Sequence, residues 1–287
     1  MTKNKGNLYI CGTPIGNMKD ITFRVLEILK KVDFIAAEDT RRTGKLLKHY
    51  DIKNELVSYH DHNEKERTKE LLSGLKNGQD IALVSNAGMP GISDPGQILI
   101  NEAVSAGIEV IPVPGPTAVI AALVASGLDM RRFVFEGFLP RSGKERKDRL
   151  RAVQREERTI IIYESPHRVE KTLSDLNQLI SNRKISLIRE ISKLHEEKIR
   201  GTCKELLSII KKKEIKGELV LVIEGHSPQK GEKEGWEDMS VVEHVRFLMK
   251  SGYSKKRAIK EVARLRELSK SDVYKKAVVI DAREYLE

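Results

Sequence analysis

The chain has 287 residues, with 52 Lys+Arg against 42 Asp+Glu, a formal net charge of +10 and 39% hydrophobic residues. That is two or three domains' worth of protein with ample core material, and no apolar run reaches the ~18 residues of a membrane span. The two cysteines, Cys11 and Cys203, exclude a disulfide scaffold or a Cys-rich zinc module and fit a reducing compartment. The opening MTKNKGNLYICGTP has no long apolar stretch or small-residue cleavage site, so a cytoplasmic protein is expected. A pI near 9.4 favours a polyanionic partner, although such a charge spread over a large surface also serves solubility.

In chain order, Leu8 to Cys11 reads as a strand, Ile21 to Lys31 as an amphipathic helix, Phe34 to Ala37 as a strand and Lys65 to Asn77 as a helix. The strands DIALVS (80–85) and EVIPV (109–113) follow, with a helix from Gly96 to Ala106 between them. This alternation implies a mostly parallel sheet with helices on both faces. Such sheets carry their sites at the carboxyl ends of the strands. The connection near 118–130 reads as partly helical. A second α/β unit begins near Phe133, with strands FVFEGF, TIIIYE, KISLIRE and ELVLVIE, a short strand at KIRGT (198–202), and helices from Arg168 to Ile180 and Cys203 to Lys212. The polar stretch 226–238 reads as an exposed hinge. Helices over Ser240–Lys250 and Lys255–Leu265, and a third capped by Ser269 or Ser271, then suggest a helix-turn-helix unit. The expected division is 1–120 and 121–226 for two α/β domains, 227–237 for a linker and 238–287 for the helical unit.

Three Gly/Pro-rich segments fall at strand ends: GTPIGN (12–17), SNAGMPGISDPG (85–96) and PVPGPTA (112–118). The first meets neither the dinucleotide fingerprint nor the phosphate loop and by itself is compatible with a plain turn. X-Pro steps and closely spaced glycines stiffen the other two and let backbone amides approach a ligand. Three such loops on one sheet edge argue for one shared pocket. Glu38-Asp39-Thr40-Arg41-Arg42 places carboxylates and guanidinium groups at the same edge, as a base and phosphate anchors or simply as a helix N-terminus capped by Asp39 or Thr40. Tyr163-Glu164-Ser165-Pro166-His167-Arg168 repeats the arrangement in the second unit. The charges at Arg189–Glu190, Lys193 and His195–Glu197 are equally consistent with a solvated face. His60-Asp61-His62 lacks a third ligand at sensible spacing, so no metal is expected.

Positive charge concentrates at 141–158, with eight Lys/Arg against four Asp/Glu, and at 238–287, with twelve against eight. Either segment would serve as a soluble helical surface. A basic helical tail on a basic body favours a phosphate footprint through Lys255, Lys256, Arg257, Lys260, Arg264 and Arg266. With 5% aromatic residues, shape and phosphate reading fit better than base stacking.

Taken in order, GTPIGNMKDITFR, AAEDTRRTGKLL, VSNAGMPGISDPG, PVPGPTAVIAAL, EGFLP with a basic helix after it, YESPHR and RGTCKEL closely resemble the bacterial ribosomal RNA small-subunit methyltransferase group of the tetrapyrrole methylase family. The resemblance spans about 8–225, and the basic tail is similar to an extra helical domain in that group. It implies an α/β fold of two tetrapyrrole methylase (class III methyltransferase) domains plus a small C-terminal helix-turn-helix-like domain. It further implies S-adenosyl-L-methionine-dependent 2′-O-methylation of a cytidine ribose in the decoding region of 16S rRNA, free or in the 30S subunit, by a homodimer. Carried onto this chain, the cofactor would contact Pro14, Ile15, Asn86, Ala87, Gly88, Ile92, Thr117, Ala118, Tyr163 and Glu164. Asn86 and Met89 stand where the group commonly has aspartate and threonine, so an aspartate contact is not carried over.

Methyl transfer from a sulfonium is an in-line displacement that asks the protein chiefly for alignment. A base for the ribose hydroxyl adds roughly 10²- to 10⁴-fold. Strand-end position makes Glu38, Asp39 and Glu164 the candidates, with Arg41, Arg168 and Lys193 on the flanking phosphates. The alternatives are methylation of a small tetrapyrrole, a non-catalytic rRNA-binding assembly factor on the same fold and, more remotely, a DNA regulator built on the helical tail.

Overall fold

The computed structural model describes residues 5–213, 215–227, 239–250, 253–278 and 280. They form two compact units, one ending at His226 and one beginning at Ser227.

The first unit holds two five-stranded sheets. In the first, β1 (Leu8–Cys11), β2 (Phe34–Ala37), β3 (Leu56–Ser58), β4 (Ile81–Val84) and β5 (Val110–Val113) run parallel in the order β3-β2-β4-β1-β5. Helices α1 (Phe23–Lys31) and α2 (Thr40–His49) supply one covering layer, α3 (Glu64–Lys76) and α4 (Gln97–Ser105) the other. Strand alternation sorts the side chains: Ile81 and Leu83 join Leu71, Leu75 and Leu99 in one core, while Ala82 and Val84 join Val25, Leu29 and Leu47 in another. Every residue of β4 is buried, as expected for a strand covered on both faces. Thr22 caps α1 through Val25 N–H, which starts that helix two residues later than its apolar periodicity suggests.

The connection over 118–130 is the helix α5 (Ala118–Ser126), closed by Gly127 in the left-handed region at φ 78°. It packs on the second sheet, where Val119, Ala122 and Leu123 meet Ile161, Ile188, Val220 and Val222. That sheet contains β6 (Phe133–Phe138), β7 (Thr159–Glu164), β8 (Ile185–Arg189), β9 (Glu197–Gly201) and β10 (Leu219–Ile223), in the order β6-β7-β10-β8-β9. Only β6 and β7 pair in parallel; the others pair antiparallel. Its other face is covered by α6 (Gly143–Arg155), α7 (Pro166–Ile180) and α8 (Cys203–Lys212).

In the second unit α9 (Val241–Lys250), α10 (Lys255–Leu265) and α11 (Lys270–Ala277) surround Val245, Met249, Val262 and Val273. Ser269 caps α11, while Ser271 lies inside it. Residues 228–238 of the expected hinge, and 251–252 between α9 and α10, fall outside the described residues.

Candidate functional site

Strand order decides what meets at the carboxyl edge of the first sheet. Because β4, β1 and β5 are neighbours, the three Gly/Pro-rich loops that follow them lie side by side. They are joined through the backbone: Thr13 and Gly88 exchange N–H···O bonds of 2.9 and 3.0 Å, and Thr13 Oγ1 donates to Ser85 O at 3.1 Å. Gly12 and Gly115 approach so closely that a Cβ on Gly115 would lie 2.7 Å from Gly12 O. Glycine is required there by backbone contact, irrespective of φ. The second sheet closes against this edge at Gly16, where a Cβ would lie 2.4 Å from Lys193 Cγ and 2.9 Å from Ile191 O.

These loops, the first turn of α5 and the ends of β6, β7 and β10 enclose a cavity of about 600 Å³. Of the cofactor residues expected from the sequence, Ile15, Ala87, Gly88, Ile92, Thr117, Ala118, Tyr163 and Glu164 border it; Pro14 and Asn86 do not. Asn86 instead faces an adjoining polar cavity of about 450 Å³ with Glu38, Asp39, Arg41, His60 and His62. Its N–H donates to Glu38 Oε2 at 2.9 Å, while its buried Oδ1 and His60 Nδ1 make no hydrogen bond among the described residues. Tyr163 stacks edge-on against Phe135 and Phe138, with ring centroids 4.8 and 5.6 Å away. Burial, helped by the negative charges of Asp94 and Glu218, pushes its phenol up to about 12, so it stays neutral.

The three carboxylates proposed from strand-end position have different surroundings. Glu164 is sealed: its side chain is 0% exposed, accepts from Thr172 Oγ1 at 2.5 Å and Ser165 N at 2.8 Å, and lies 3.4 Å from Arg168. Asp39 is the N-cap of α2, accepting from Arg41 N–H at 2.9 Å and Arg42 N–H at 3.4 Å. The Arg41 guanidinium, then the cap bonds, hold its carboxyl below the usual range and make it a weak base. Glu38 opens on the polar cavity.

The carboxylate that sequence reasoning missed is Asp94. It lies on the wall of the larger cavity, and its carboxyl is pushed up to about 6, first by burial and then by Glu38 and Asp61, against a hydrogen bond from Ser85. The only sequence signal was its place in SNAGMPGISDPG.

Several expected phosphate contacts are engaged inside the protein. Arg168 donates to Leu139 O and pairs with Glu164; Lys193 pairs with Glu190 at 2.7 Å and Glu218 at 3.1 Å. Arg41 is paired with Asp39 but 87% exposed. In the second unit Lys255 donates to Ile280 O, and Arg266 donates to His244 Nδ1 at 3.1 Å and Met239 O at 2.6 Å. Both hold the helices together. Lys256, Arg257, Lys260 and Arg264 lie on the exposed face of α10, Arg264 bonded to Glu261 and Arg257 4.9 Å from the Tyr253 ring centroid. Among the described residues no cluster of three or more metal-ligating side chains occurs.

The family profile of the tetrapyrrole (corrin/porphyrin) methylases matches residues 7–207. A protein of Halalkalibacterium halodurans named ribosomal RNA small subunit methyltransferase I is 47% identical over 272 residues, covering 94% of each chain. A protein of the same name from Synechocystis is 46% identical, covering 96% of this chain and 99% of its own. Among solved structures, the uroporphyrin-III C-methyltransferase of Thermus thermophilus, complexed with S-adenosylhomocysteine, superposes with a TM-score of 0.56 over 76% of this chain and 97% of that one. At 18% identity, this likeness speaks for the fold.

Proposed function

Because the chain belongs to the tetrapyrrole methylase family, and within it to the ribosomal RNA small subunit methyltransferase I group, we propose that it methylates the ribose 2′-hydroxyl of a cytidine in the decoding region of 16S rRNA. It is an S-adenosylmethionine-dependent methyltransferase. The carrying observation is the convergence of three rigid strand-end loops and the aromatic end of the second sheet on one cavity, in a chain so close to proteins of that name.

The residues fit the donor. About 600 Å³ is the size of a cofactor site, and Tyr163, Phe135 and Phe138 give it an aromatic wall. The N-terminus of α5 suits a carboxylate. Ile15, Ala87, Gly88, Ile92, Thr117, Ala118 and Tyr163 would hold it, with Glu164 fixed behind Tyr163. When bound, the donor supplies an electrophilic methyl group on a sulfonium. The chain contributes a rigid frame that aligns the acceptor oxygen, and such alignment accounts for ~7–11 kcal/mol of barrier in favourable cases.

An rRNA substrate supports a cytoplasmic location; none of the described helices is long and apolar enough to cross a membrane. A homodimer is supported by the apolar α5, whose Ile120 and Val124 are 46% and 63% exposed while its other face covers the second sheet. The helical unit from 238 on would grip phosphates through Lys256, Arg257, Lys260 and Arg264. Within the first unit, Arg41, Arg168 and Lys193 would serve the surroundings of the reacting ribose, the last two mainly through their internal pairs.

Mass mapping of 16S rRNA from a deletion strain, before and after incubation with the protein, tests the reaction: one ribose methyl on a decoding-region cytidine is expected. An unchanged map with an active donor-binding protein favours the assembly-factor reading, and methylated uroporphyrinogen favours the tetrapyrrole one. Combining Lys256→Gln, Arg257→Gln and Lys260→Gln should flatten the slope of log K against log salt by roughly 2–3 for the RNA complex, leaving donor affinity intact. Equal slopes would contradict the phosphate footprint.

A further inference from the structure

Resting on that reading, we propose that Asp94 is the catalytic residue that accepts the proton of the acceptor ribose hydroxyl. Three carboxylates lie on the wall of the donor cavity, Asp94, Glu164 and Glu218. Glu164 is sealed by Thr172, Ser165 and Arg168. Glu218 is paired with Lys193 at 3.1 Å and has a 70% exposed side chain. Asp94 makes no salt bridge among the described residues; the Ser85 hydroxyl, which donates to Ala87 O at 3.3 Å, only tempers its proton affinity.

The backbone is built to hold it there. Ser93, its neighbour, takes a φ of 62°, unusual for a residue with a side chain, and sits between Gly91 at 83° and Gly96 at 141°. A Cβ on Gly96 would lie 2.9 Å from Leu83 Cδ2 and 3.2 Å from Gly91 N, so the loop is pinned on the end of β4. A Cβ on Gly137 of β6 would lie 3.4 Å from Ser93 Oγ, which places the second sheet against the same turn. Backbone strain of this kind persists where surrounding structure enforces it, and it clusters at reacting groups.

The charges around Asp94 suit proton acceptance. Glu38 acts on it from the end of β2 and Asp61 from the turn before α3, and both also border the adjoining polar cavity. Tyr163, kept neutral, faces it from β7, with the Glu164–Arg168 pair behind. Asp94 therefore lies at the boundary between an apolar donor cavity and a polar one. Glu38 and Asp61 disfavour a phosphate beside Asp94 itself, so the group presented to it is an uncharged hydroxyl, and Arg41, on the same polar cavity, is left for a flanking phosphate. Burial and these charges raise its affinity for a proton to about 6, so near neutral pH it is ionised yet much more basic than an ordinary aspartate.

In the balanced step, the hydroxyl oxygen forms its bond to the methyl carbon as the carbon–sulfur bond breaks. The bonding pair leaves with sulfur, giving a neutral thioether, and the hydroxyl proton passes to an Asp94 carboxylate oxygen, which later returns it to water. A bound sulfonium would lower the Asp94 value, so the free-enzyme value is read from kcat/KM with the donor subsaturating.

The test compares wild type, Asp94→Asn and Asp94→Glu in full-length protein. It measures single-turnover transfer from radiolabelled S-adenosylmethionine to 30S subunits lacking the modification, kcat/KM from pH 5 to 8.5, S-adenosylhomocysteine binding by calorimetry and urea midpoints without donor. Expected for Asp94→Asn are a roughly 10²- to 10⁴-fold slower transfer, S-adenosylhomocysteine affinity unchanged within about threefold and loss of the wild-type rise in kcat/KM through about pH 6. Asp94→Glu should recover part of the rate with a displaced rise. The donor-free urea midpoint of Asp94→Asn should exceed wild type at pH 7.5, and the excess should vanish below about pH 4, because a raised carboxyl value makes ionisation destabilising. An Asp94→Asn enzyme with near-wild-type rate or an unchanged pH rise overturns the proposal, as does loss of S-adenosylhomocysteine binding, which would make Asp94 a donor ligand. If wild type itself transfers no methyl to RNA, the underlying reading fails and the proposal with it.

Discussion

Gly115→Ala is expected to weaken S-adenosylhomocysteine binding at least ~100-fold, because relieving a backbone overlap by moving loops costs ~3 kcal/mol or more. The added methyl would lie 2.7 Å from Gly12 O and 2.8 Å from Gly12 Cα, and main chain cannot rotate aside as a side chain does. The loops after β1 and β5 must therefore separate, carrying Ile15 on one side and Thr117 and Ala118 on the other. Gly44→Ala is the matched control. Gly44 lies within α2, where a Cβ meets only Leu56 Cδ1, at 3.7 Å, and the change should leave binding intact while stabilising the helix by ~0.5–1 kcal/mol. Calorimetry of the two variants decides the matter: wild-type affinity in Gly115→Ala would mean that these loops do not jointly form the donor wall.

The second large effect is one of stability. Arg146 is 4% exposed; its guanidinium donates to Asp175 Oδ2 at 3.0 and 2.8 Å, to Pro140 O at 3.0 Å and to Thr172 Oγ1 at 3.0 Å. Thr172 in turn donates to Glu164. Arg146→Ala strands a threonine and a carboxylate that were organised around one cation, and removal of one partner from a buried pair costs ~3–5 kcal/mol. The partial exposure of Asp175, 30% for its side chain, points to the lower end of that range. Arg146→Lys should recover little, since an ammonium cannot reproduce the planar fork. By contrast Arg131→Ala, which removes the Asp129 pair at 88% and 52% exposure, should leave the urea midpoint essentially unchanged. Urea unfolding distinguishes these expectations; a loss below 1 kcal/mol in Arg146→Ala would show that the network is not an organising element.

What the sequence disclosed and what it withheld follow from range. β1, β2, β6 and β7 were legible because short β-branched or apolar runs bounded by turn residues determine them locally. The edge strand β3, three half-buried residues, carries no periodicity long enough to stand out. The antiparallel pairing of β10 with β7 and β8 depends on which strand inserts between two others, and local patterning is silent on that. The strand-end loops marked the cavity we assign to the donor, but the chemistry of its carboxylates was hidden in distant partners. Glu164 and Asp94 are equally acidic letters; one is closed off by Thr172 and Arg168, while the other gains basicity from burial and from Glu38, 56 positions upstream. Arg266 read as a surface cation because His244, its partner, lies on another helix.

The most direct measurement of the central claim is a crystal structure of the protein with S-adenosylhomocysteine at millimolar concentration. The predicted result places the nucleoside in the cavity bordered by Ala87, Thr117 and Tyr163, with its sulfur facing the side on which Asp94 lies. Density for the nucleoside elsewhere, or an empty cavity at that concentration, would contradict the account.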